Sequence, residues 1–589
     1  MACSGLSYTT WENHLTELKW WQKAVFYQIY PRSFADGNGD GIGDFPGMID
    51  RLDYLKDLGV DAVWLSPHYP SPQFDCGYDV ADYAGVAPEY GTLDDFQRFL
   101  DGAHARGIRV ILDMVLNHTS DQHPWFLESR SSRDNPKRDW YIWRDPTPRR
   151  RGAAGRMTLP NNWNSRFGGS VWEYDSKTGQ YYYHSFFKEQ PDLNWRNPEV
   201  KQAVWNMARF WLERGVDGFR LDALGGILKD LRRPNHSVRQ SATALLCAWL
   251  TARTVKERKA VEARQKAMFQ YQSDLPEVHE TMCELRAMVD EYADRMFAGE
   301  TDNCLYYGNG NDELHLVFNF PLMERERLTP AWVRANQKER LAALPPGAWP
   351  CNTLGNHDRS RVYSRCGDGR DDDALARLSL ALMLTLRGTP FLYNGEEIGM
   401  TDMLLDDFSL FRDNTGIWYY AAVMEELGMS PAEALALANH YGRDKCRTPM
   451  QWANAPNAGF SPPGTQTWLP VNPNYAQGVN VADQLADPDS LLNFYRRMLR
   501  LRRQTPALIA GDYTPLHEEA EDYLALLRCS DEQTCLVVLN LSEQAHTLRF
   551  DLGTGSARRL FSSQAREATT DNLLHLAIAP WEVYIAEVT

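Results

Sequence analysis

Short runs of apolar and β-branched residues recur along most of the chain. Between them lie stretches whose apolar positions fall at helical spacing. AVFYQIY (24–30) and DAVWLS (61–66) read as buried strands, and FPGMIDRLDYLKDLG between them carries a helical pattern that ends on Gly59. RVILDMV (109–115) follows a helical stretch over DDFQRFLDGAHARG. GFRLD (218–222), RMFAGE (295–300), LHLVFNF (314–320), PCNTLGN (350–356) and TPFLYNG (389–395) supply five more strands. Eight strands alternating with helices predict an α/β fold, a parallel (β/α)8 TIM barrel.

The uneven spacing predicts the domain organisation. A first barrel portion spans 1–118. Residues 119–193, rich in Trp, Tyr, Asn and Gly and poor in helical periodicity, read as an inserted subdomain after the third strand. The barrel resumes over 194–505, with a helical insertion at 226–292 and an excursion at 400–460. The centre of that insertion, LLCAWLTARTVKERKAVEARQKAMFQY, is helix-forming and rich in Lys and Arg. It reads either as a solvated hairpin or as a lid or subunit contact. From 506 to 589 the pattern changes to YLALLRC, TCLVVLNLS, HTLRFDL, ARRLFSS and LAIAPWEVYIAEV, which predicts a C-terminal antiparallel β domain.

Composition narrows the partners. The chain has 589 residues, 43% hydrophobic and 24% charged, with a net charge of -16. An acidic surface repels phosphate backbones and anionic lipid, so neither nucleic acid nor a membrane is expected as a partner. No basic start followed by an apolar stretch opens the chain, and no apolar run has the length of a membrane helix. The ten cysteines show no CxxC pair or metal-type spacing, which predicts reduced thiols and a cytoplasmic location.

In such a barrel the site gathers at the C-terminal ends of the strands. The third strand ends in Asp113, Asn117 and His118, the fourth in Arg220 and Asp222, the fifth in Glu300, and the seventh in Asn356, His357 and Asp358. Asp222, Glu300 and Asp358 therefore arrive at one mouth from separate strands. Paired carboxylates are what glycosidic cleavage needs: one ionised to attack, one protonated to serve the leaving oxygen. Arg220 and Asp222 are two apart on a strand and share a face, so the guanidinium should keep Asp222 charged. The apolar residues preceding Glu300 predict burial and a raised pKa. Asp358 would grip sugar hydroxyls and stabilise positive charge, with His118 and His357 as hydroxyl donors.

GVDGFRLD (215–222), FAGE (297–300), GNHD (355–358) and DMVLNH (113–118) resemble the four signature segments of the α-amylase superfamily, glycoside hydrolase family 13. QPDLNW (190–195) resembles the fifth segment of its oligo-1,6-glucosidase and α-glucosidase group. The resemblance runs from about Trp20 to the C-terminus. It implies a retaining glycosidase with Asp222 as nucleophile, Glu300 as acid/base and Asp358 as transition-state stabiliser, supported by Arg220, His118 and His357. It further implies that Asp75 and Tyr78 of DCGYD hold the terminal sugar, that Arg447 of RDKCRTPMQW joins Asp75 on its far side, and that Phe167 of FGGS lines the pocket. Closing the pocket beyond that sugar implies exo-action on short substrates, a small oligosaccharide or glucoside.

Two further features bear on cofactor and specificity. Asp36, Asn38, Asp40, Ile42 and Asp44 alternate as D-x-N-x-D-G-x-G-D, a calcium-type loop in which Ile42 offers its carbonyl. The resemblance also implies a structural Ca2+ or Mg2+ there, and no organic cofactor is expected. Ala223, after the nucleophile, goes in related enzymes with α-1,4 preference, and its small side chain leaves room at the +1 subsite. His68 falls where an apolar residue is more usual, and residues 223–299 form an unusually long connection between nucleophile and acid. Function is therefore expected to be an exo-acting α-glucosidase of α-1,4 or broad specificity. The alternatives are a transglucosidase, a glucoside isomerase of sucrose or trehalose type, or a hydrolase for a glucosylated small polyol or acid. A monomer or a homo-oligomer is expected.

Overall fold

The computed structural model describes residues 18–147, 158–230 and 232–589. The opening stretch read above for a leader falls outside these residues. The eight predicted strands form one parallel sheet: β1 (Phe26–Ile29), β2 (Ala62–Leu65), β3 (Arg109–Val115), β4 (Gly218–Asp222), β5 (Met296–Gly299), β6 (Leu316–Val317), β7 (Cys351–Thr353) and β8 (Thr389–Tyr393). Its order is β7-β8-β1-β2-β3-β4-β5-β6. The last strand returns beside the first, Phe26 opposite Phe391, and the barrel is closed by pairing everywhere except between β6 and β7.

The two-residue pleat divides every strand between two cores. Phe26, Ala62, Trp64, Ile111, Met296, Ala298, Leu316, Cys351 and Phe391 belong to one buried cluster that plugs the barrel interior. Their sequence neighbours Tyr27, Val63, Leu65, Val110, Leu112 and Phe297 belong to a second, which also contains Phe96, Phe99 and Leu100 of helix Leu93–Ala105 and Val204, Ala208 and Trp211 of helix Pro198–Glu213. These helices begin where local chemistry dictates. Thr92 forms a capping box with Asp95, and Asn197 caps a helix whose first residue is proline. Between β4 and β5 the backbones approach so closely that a Cβ on Gly218 would lie 2.1 Å from the Met296 carbonyl oxygen, so only glycine fits.

Residues 119–193 contain a small antiparallel sheet, Trp143–Arg144, Gln180–Tyr183 and Trp172–Asp175. The 226–292 insertion contains helices Ala242–Leu250, Val255–Phe269 and Glu277–Val289. The first two pack through Ala242, Leu245, Val261 and Met268, while Lys256, Glu257, Arg258 and Lys259 face solvent. Cys247 packs on Val423 and Ala434 of the 400–460 excursion, and Trp249 meets the edge of Tyr441. The insertion is thus solvated on one side and docked on the other.

The C-terminal sheet is antiparallel, in the order Asp512–Leu516, Tyr523–Cys529, Thr534–Asn540, Val583–Val588, Ser556–Ser562, Thr570–Asn572. LAIAPWEVYIAEV is two strands rather than one. It breaks at Pro580, which has no N–H to donate, and at Trp581, whose φ is 55°. Among the described residues no helix is long and apolar enough to cross a membrane.

Phe26 and Phe391 stack at 4.3 Å in the barrel plug. Phe391→Ala is expected to cost about 3–5 kcal/mol of stability, read as a lowered denaturant midpoint. A loss below about 1 kcal/mol would mean that this ring is not close-packed.

Candidate active site

Following the inward face of each strand upward leads from the apolar plug to polar groups at the same pleat phase. Trp64 is followed by Ser66, Ile111 by Asp113, Gly218 by Arg220 and Asp222, and Ala298 by Glu300. Asp113 and Arg220 sit directly opposite one another across β3 and β4. Arg220, with a side chain 1% exposed, donates from Nη1 to Asp113 Oδ1 at 2.8 Å and to Asp222 Oδ1 at 2.6 Å, and its Nη2 lies 3.0 Å from Glu300 Oε1. The other Glu300 oxygen accepts the Ala223 N–H at 2.9 Å. One guanidinium therefore organises three carboxylates.

One cation cannot neutralise three anions taken out of water, and the acids respond. Burial pushes Asp113 up to about 6, against the pull of Arg220. Burial also raises Asp222, and the charge of Glu300 adds to the rise, outweighing Arg220. Arg220 favours the charged form of Asp222, as expected, but burial and the charge of Glu300 act against it. The expected apolar enclosure of Glu300 is not found: its side chain is 28% exposed and opens into the cleft. Phe297 faces the outer core while Ala298 faces the plug, so the apolar residues before Glu300 pack below it and not around it.

Asp358 has the opposite environment. Burial disfavours its charge, but the guanidinium groups of Arg443, Arg447 and Arg220 together prevail and hold it well below the usual range. Arg447 Nη2 donates to Asp358 Oδ1 at 2.6 Å, and His357 Nε2 lies 3.5 Å from Oδ2. The His357 ring is parallel to Tyr78, whose hydroxyl lies 2.7 Å from Nε2 and donates to Asp113 at 3.0 Å. Burial lowers both His357 and His118, so both rings are neutral.

Asp75, Tyr78, His118, Phe167, Asp222, Ala223, Glu300 and Asp358 all line one cleft of about 400 Å3, within the range of small-ligand sites. Arg220, His357 and Arg447 stand behind its wall. The assignment of Arg447 as partner of Asp75 is corrected: Arg443 Nη2 donates to Asp75 Oδ1 at 2.7 Å and to Asp413 Oδ1 at 2.7 Å. Arg447 is fully buried and binds Asp358 and the His357 carbonyl. The two arginines flank a 3-10 turn, Asp444–Cys446. The first faces the cleft and the second the end of β7, a distinction that their shared segment does not reveal.

Other contributors went unassigned in the sequence. Gln190 Nε2 donates to Asp75 Oδ2 at 3.0 Å and lies 3.0 Å from His118. Lys229 pairs with Asp192 and reaches Asn117 at 2.9 Å, fixing the top of β3. Arg166, Phe269, Gln272, Ser273 and Asp274 line the outer part of the cleft, four of the five coming from the helical insertion. His68 has no part in the site. It is fully buried, stacks on Phe96, and burial lowers it to about 3, so a neutral ring fills an apolar position.

The 36–44 loop is wound by its own side chains. Asp36 accepts from Gly39 and Gly41, Asp40 from Ile42, and Asp44 from Gly37, Asn38 and Gly47. The oxygen-only donor set is right for a hard divalent cation, although Asp44 Oδ1 already accepts from Gly37 and Gly47, and Asp36 Oδ2 from Gly41 and Ser461. Its three carboxylates are not gathered within 4.8 Å of one another, so a cation would have to draw them together.

A barrel whose mouth carries this arginine-bridged carboxylate pair, with a third carboxylate opposite, defines a glycoside hydrolase. The comparisons agree. Residues 28–511 match the model of the α-amylase catalytic domain, and residues 513–585 that of the maltogenic amylase C-terminal domain. The chain belongs to the α-amylase family. It is 39% identical to an oligo-1,6-glucosidase of Parageobacillus thermoglucosidasius, over 97% of this chain and 99% of that one. It is 38% identical to a trehalose-6-phosphate hydrolase of Bacillus subtilis, over 97% and 98%. The crystal structure of a trehalulose synthase from Pseudomonas mesoacidophila superposes with a TM-score of 0.85 at 37% identity, covering 98% of this chain and 100% of that one.

Arg443 compensates Asp75 and Asp413 at once, and Asp413 is held well below its ordinary value because Arg443 outweighs its burial. Arg443→Met is expected to cost about 3–5 kcal/mol at neutral pH by leaving these carboxylates unpaired. A depressed carboxylate stabilises the fold above its unfolded pKa, and that stability is lost as pH falls through the folded value. The gap between wild type and variant should therefore narrow on acidification. A gap independent of pH, followed by thermal denaturation, would show that the loss is one of packing.

Proposed function

We propose that the protein is an exo-acting, retaining α-glucosidase that releases glucose from short α-glucosides. The observation that carries this reading is the pairing of Asp222 and Glu300 on adjacent strands, bridged by Arg220, in a cleft closed at its far end by Asp75 and Arg443. Asp222 attacks the anomeric carbon while Glu300 gives its proton to the glycosidic oxygen, so the aglycone leaves as an alcohol. Glu300 then removes a proton from water, which attacks the glucosyl ester and frees Asp222. Glu300 can deliver the proton because it is the most exposed carboxylate of the Arg220 cluster. Ionised Asp358 faces the positive charge that develops on the sugar. The small side chain of Ala223 in the cleft supports α-1,4-linked or broad specificity. A transglucosidase or isomerase would use the same groups, and the likeness to a trehalulose synthase keeps that second reading in view. A product time course at low and high substrate concentration separates them: glucose at all concentrations marks the hydrolase, new glucosides with little glucose the transferase.

The D-x-N-x-D-G-x-G-D loop supports a structural Ca2+ or Mg2+ held by Asp36, Asn38, Asp40, the Ile42 carbonyl and Asp44, where the ion would tie the turn after β1. The buried free thiols of Cys76, Cys351 and Cys446 suit a reducing, cytoplasmic setting.

Three outcomes are expected. Glu300→Gln should lower kcat on maltose by about 10²–10⁴, Asp222→Asn by at least as much, and proton NMR should show α-glucose as the first product. β-Glucose would refute retention. Because Asp222 must be ionised to attack and its pKa is raised, activity should fall, as pH is lowered, already above the ordinary aspartate range. Glu300→Gln removes a negative neighbour and should move that limb to lower pH on α-glucosyl fluoride, whose leaving group needs no proton. An unmoved limb would show that the two acids are uncoupled. Chelator should lower Tm, with Ca2+ or Mg2+ restoring it, and Asp40→Ala should abolish the response; an unchanged Tm in wild type rules out a structural ion.

A further inference from the structure

The sugar pocket is built by strand ends, but the outer part of the cleft is built by parts of the chain that lie far apart in sequence. Arg166, from the 119–193 segment, donates from Nη2 to Ser273 Oγ of the helical insertion. Its guanidinium lies over the Phe269 ring at 4.7 Å. All three residues line the cleft. Among the described residues no carboxylate comes within ion-pair distance of Arg166, and its hydrogen bond to Ser273 leaves other N–H donors of a cleft-lining side chain unengaged by protein acids. Arg166 is exposed, as expected of a side chain at the rim of an open cleft.

The frame behind this bridge is held by hydrogen bonds and ring contacts. Tyr183 donates to Gln272 at 2.8 Å, the Trp163 indole donates to the Pro234 carbonyl at 2.8 Å, and Trp163 lies parallel to Tyr271. On the other side, Gly168 is wedged between Thr243 of the insertion and Trp418 of the 400–460 excursion, and a Cβ there would lie 2.9 and 2.8 Å from them. The docking of helix Ala242–Leu250 on the excursion holds this wall in place. A fixed bridge across the outer cleft limits what can follow the scissile bond, and a planar guanidinium beside a hydroxyl offers several donors to a polyhydroxylated group.

Resting on the α-glucosidase reading above, we propose that Arg166, set by Ser273 and Phe269, is the specificity-determining residue for the aglycone and selects a single small hydroxylated group over a longer chain. The bridge contributes hydrogen bonds to the first aglycone unit and obstructs the second.

The test compares wild type, Arg166→Ala and Arg166→Lys on maltose, maltotriose and p-nitrophenyl α-glucoside, whose aglycone has no hydroxyl to offer. Arg166→Ala should lower kcat/KM at least tenfold more for maltose than for the nitrophenyl glucoside, and should raise the maltotriose-to-maltose ratio several-fold. Arg166→Lys should restore part of the maltose rate. Phe269→Ala, which frees the guanidinium from its ring, should raise the same ratio. Equal losses on maltose and the nitrophenyl glucoside in Arg166→Ala, or an unchanged maltotriose ratio, would overturn the proposal. Wild-type protein that hydrolyses none of the three would instead overturn the α-glucosidase reading.

Discussion

Arg220 is the group on which the rest of the site depends. Its guanidinium is buried between Asp113, Asp222 and Glu300. A buried cation of this kind is tolerated only when hydrogen-bonded anions surround it, and those anions are tolerated only because of the cation. The barrel supplies the geometry: β3, β4 and β5 run parallel and adjacent, so residues at one pleat phase meet at one height. With too many carboxylates for one guanidinium, burial raises both Asp113 and Asp222 in spite of Arg220. That imbalance is what acid/base chemistry between two carboxyls uses.

A second balance, of opposite sign, stands across the cleft. Asp358 meets Arg443 and Arg447 and is firmly ionised. The cleft therefore contains one carboxylate, Asp358, whose charge is secure and another, Asp222, whose charge is disfavoured. The difference arises from the number of guanidinium groups nearby and not from the acids themselves, which are the same residue type in Asp222 and Asp358. Asp75, tied to Arg443 and Gln190, closes the far end of the same network. The sugar pocket is in this sense one continuous polar layer resting on the apolar plug below it.

The inserted segments act on the other end of the cleft. Residues 119–193, the helical insertion and the 400–460 excursion pack on one another at Gly168 and through Cys247, Trp249 and Tyr441. Barrel strands can vary little without disturbing the plug. Segments between strands carry no such burden, so differences in aglycone recognition fall on them.

The sequence by itself determined the eight strands, because buried parallel strands are short apolar runs of distinctive composition, and it determined the residues ending them. It also marked the C-terminal sheet, though not its edge strands Asp512–Leu516 and Thr570–Asn572, none of whose residues is fully buried. What only the tertiary structure decided was which polar groups face one another. Arg443 and Arg447 stand in one segment with the same side chain, and only the turn between them sends the first to Asp75 and the second to Asp358. Arg166 and Ser273 are 107 residues apart and meet only because two separate insertions dock. Glu300 is preceded by apolar residues yet opens to solvent, since burial is set by the neighbouring strands and not by the preceding sequence. Local pattern is written in the periodicity of the chain. The charge state of a buried group is a sum over neighbours from distant segments, and no local pattern contains it.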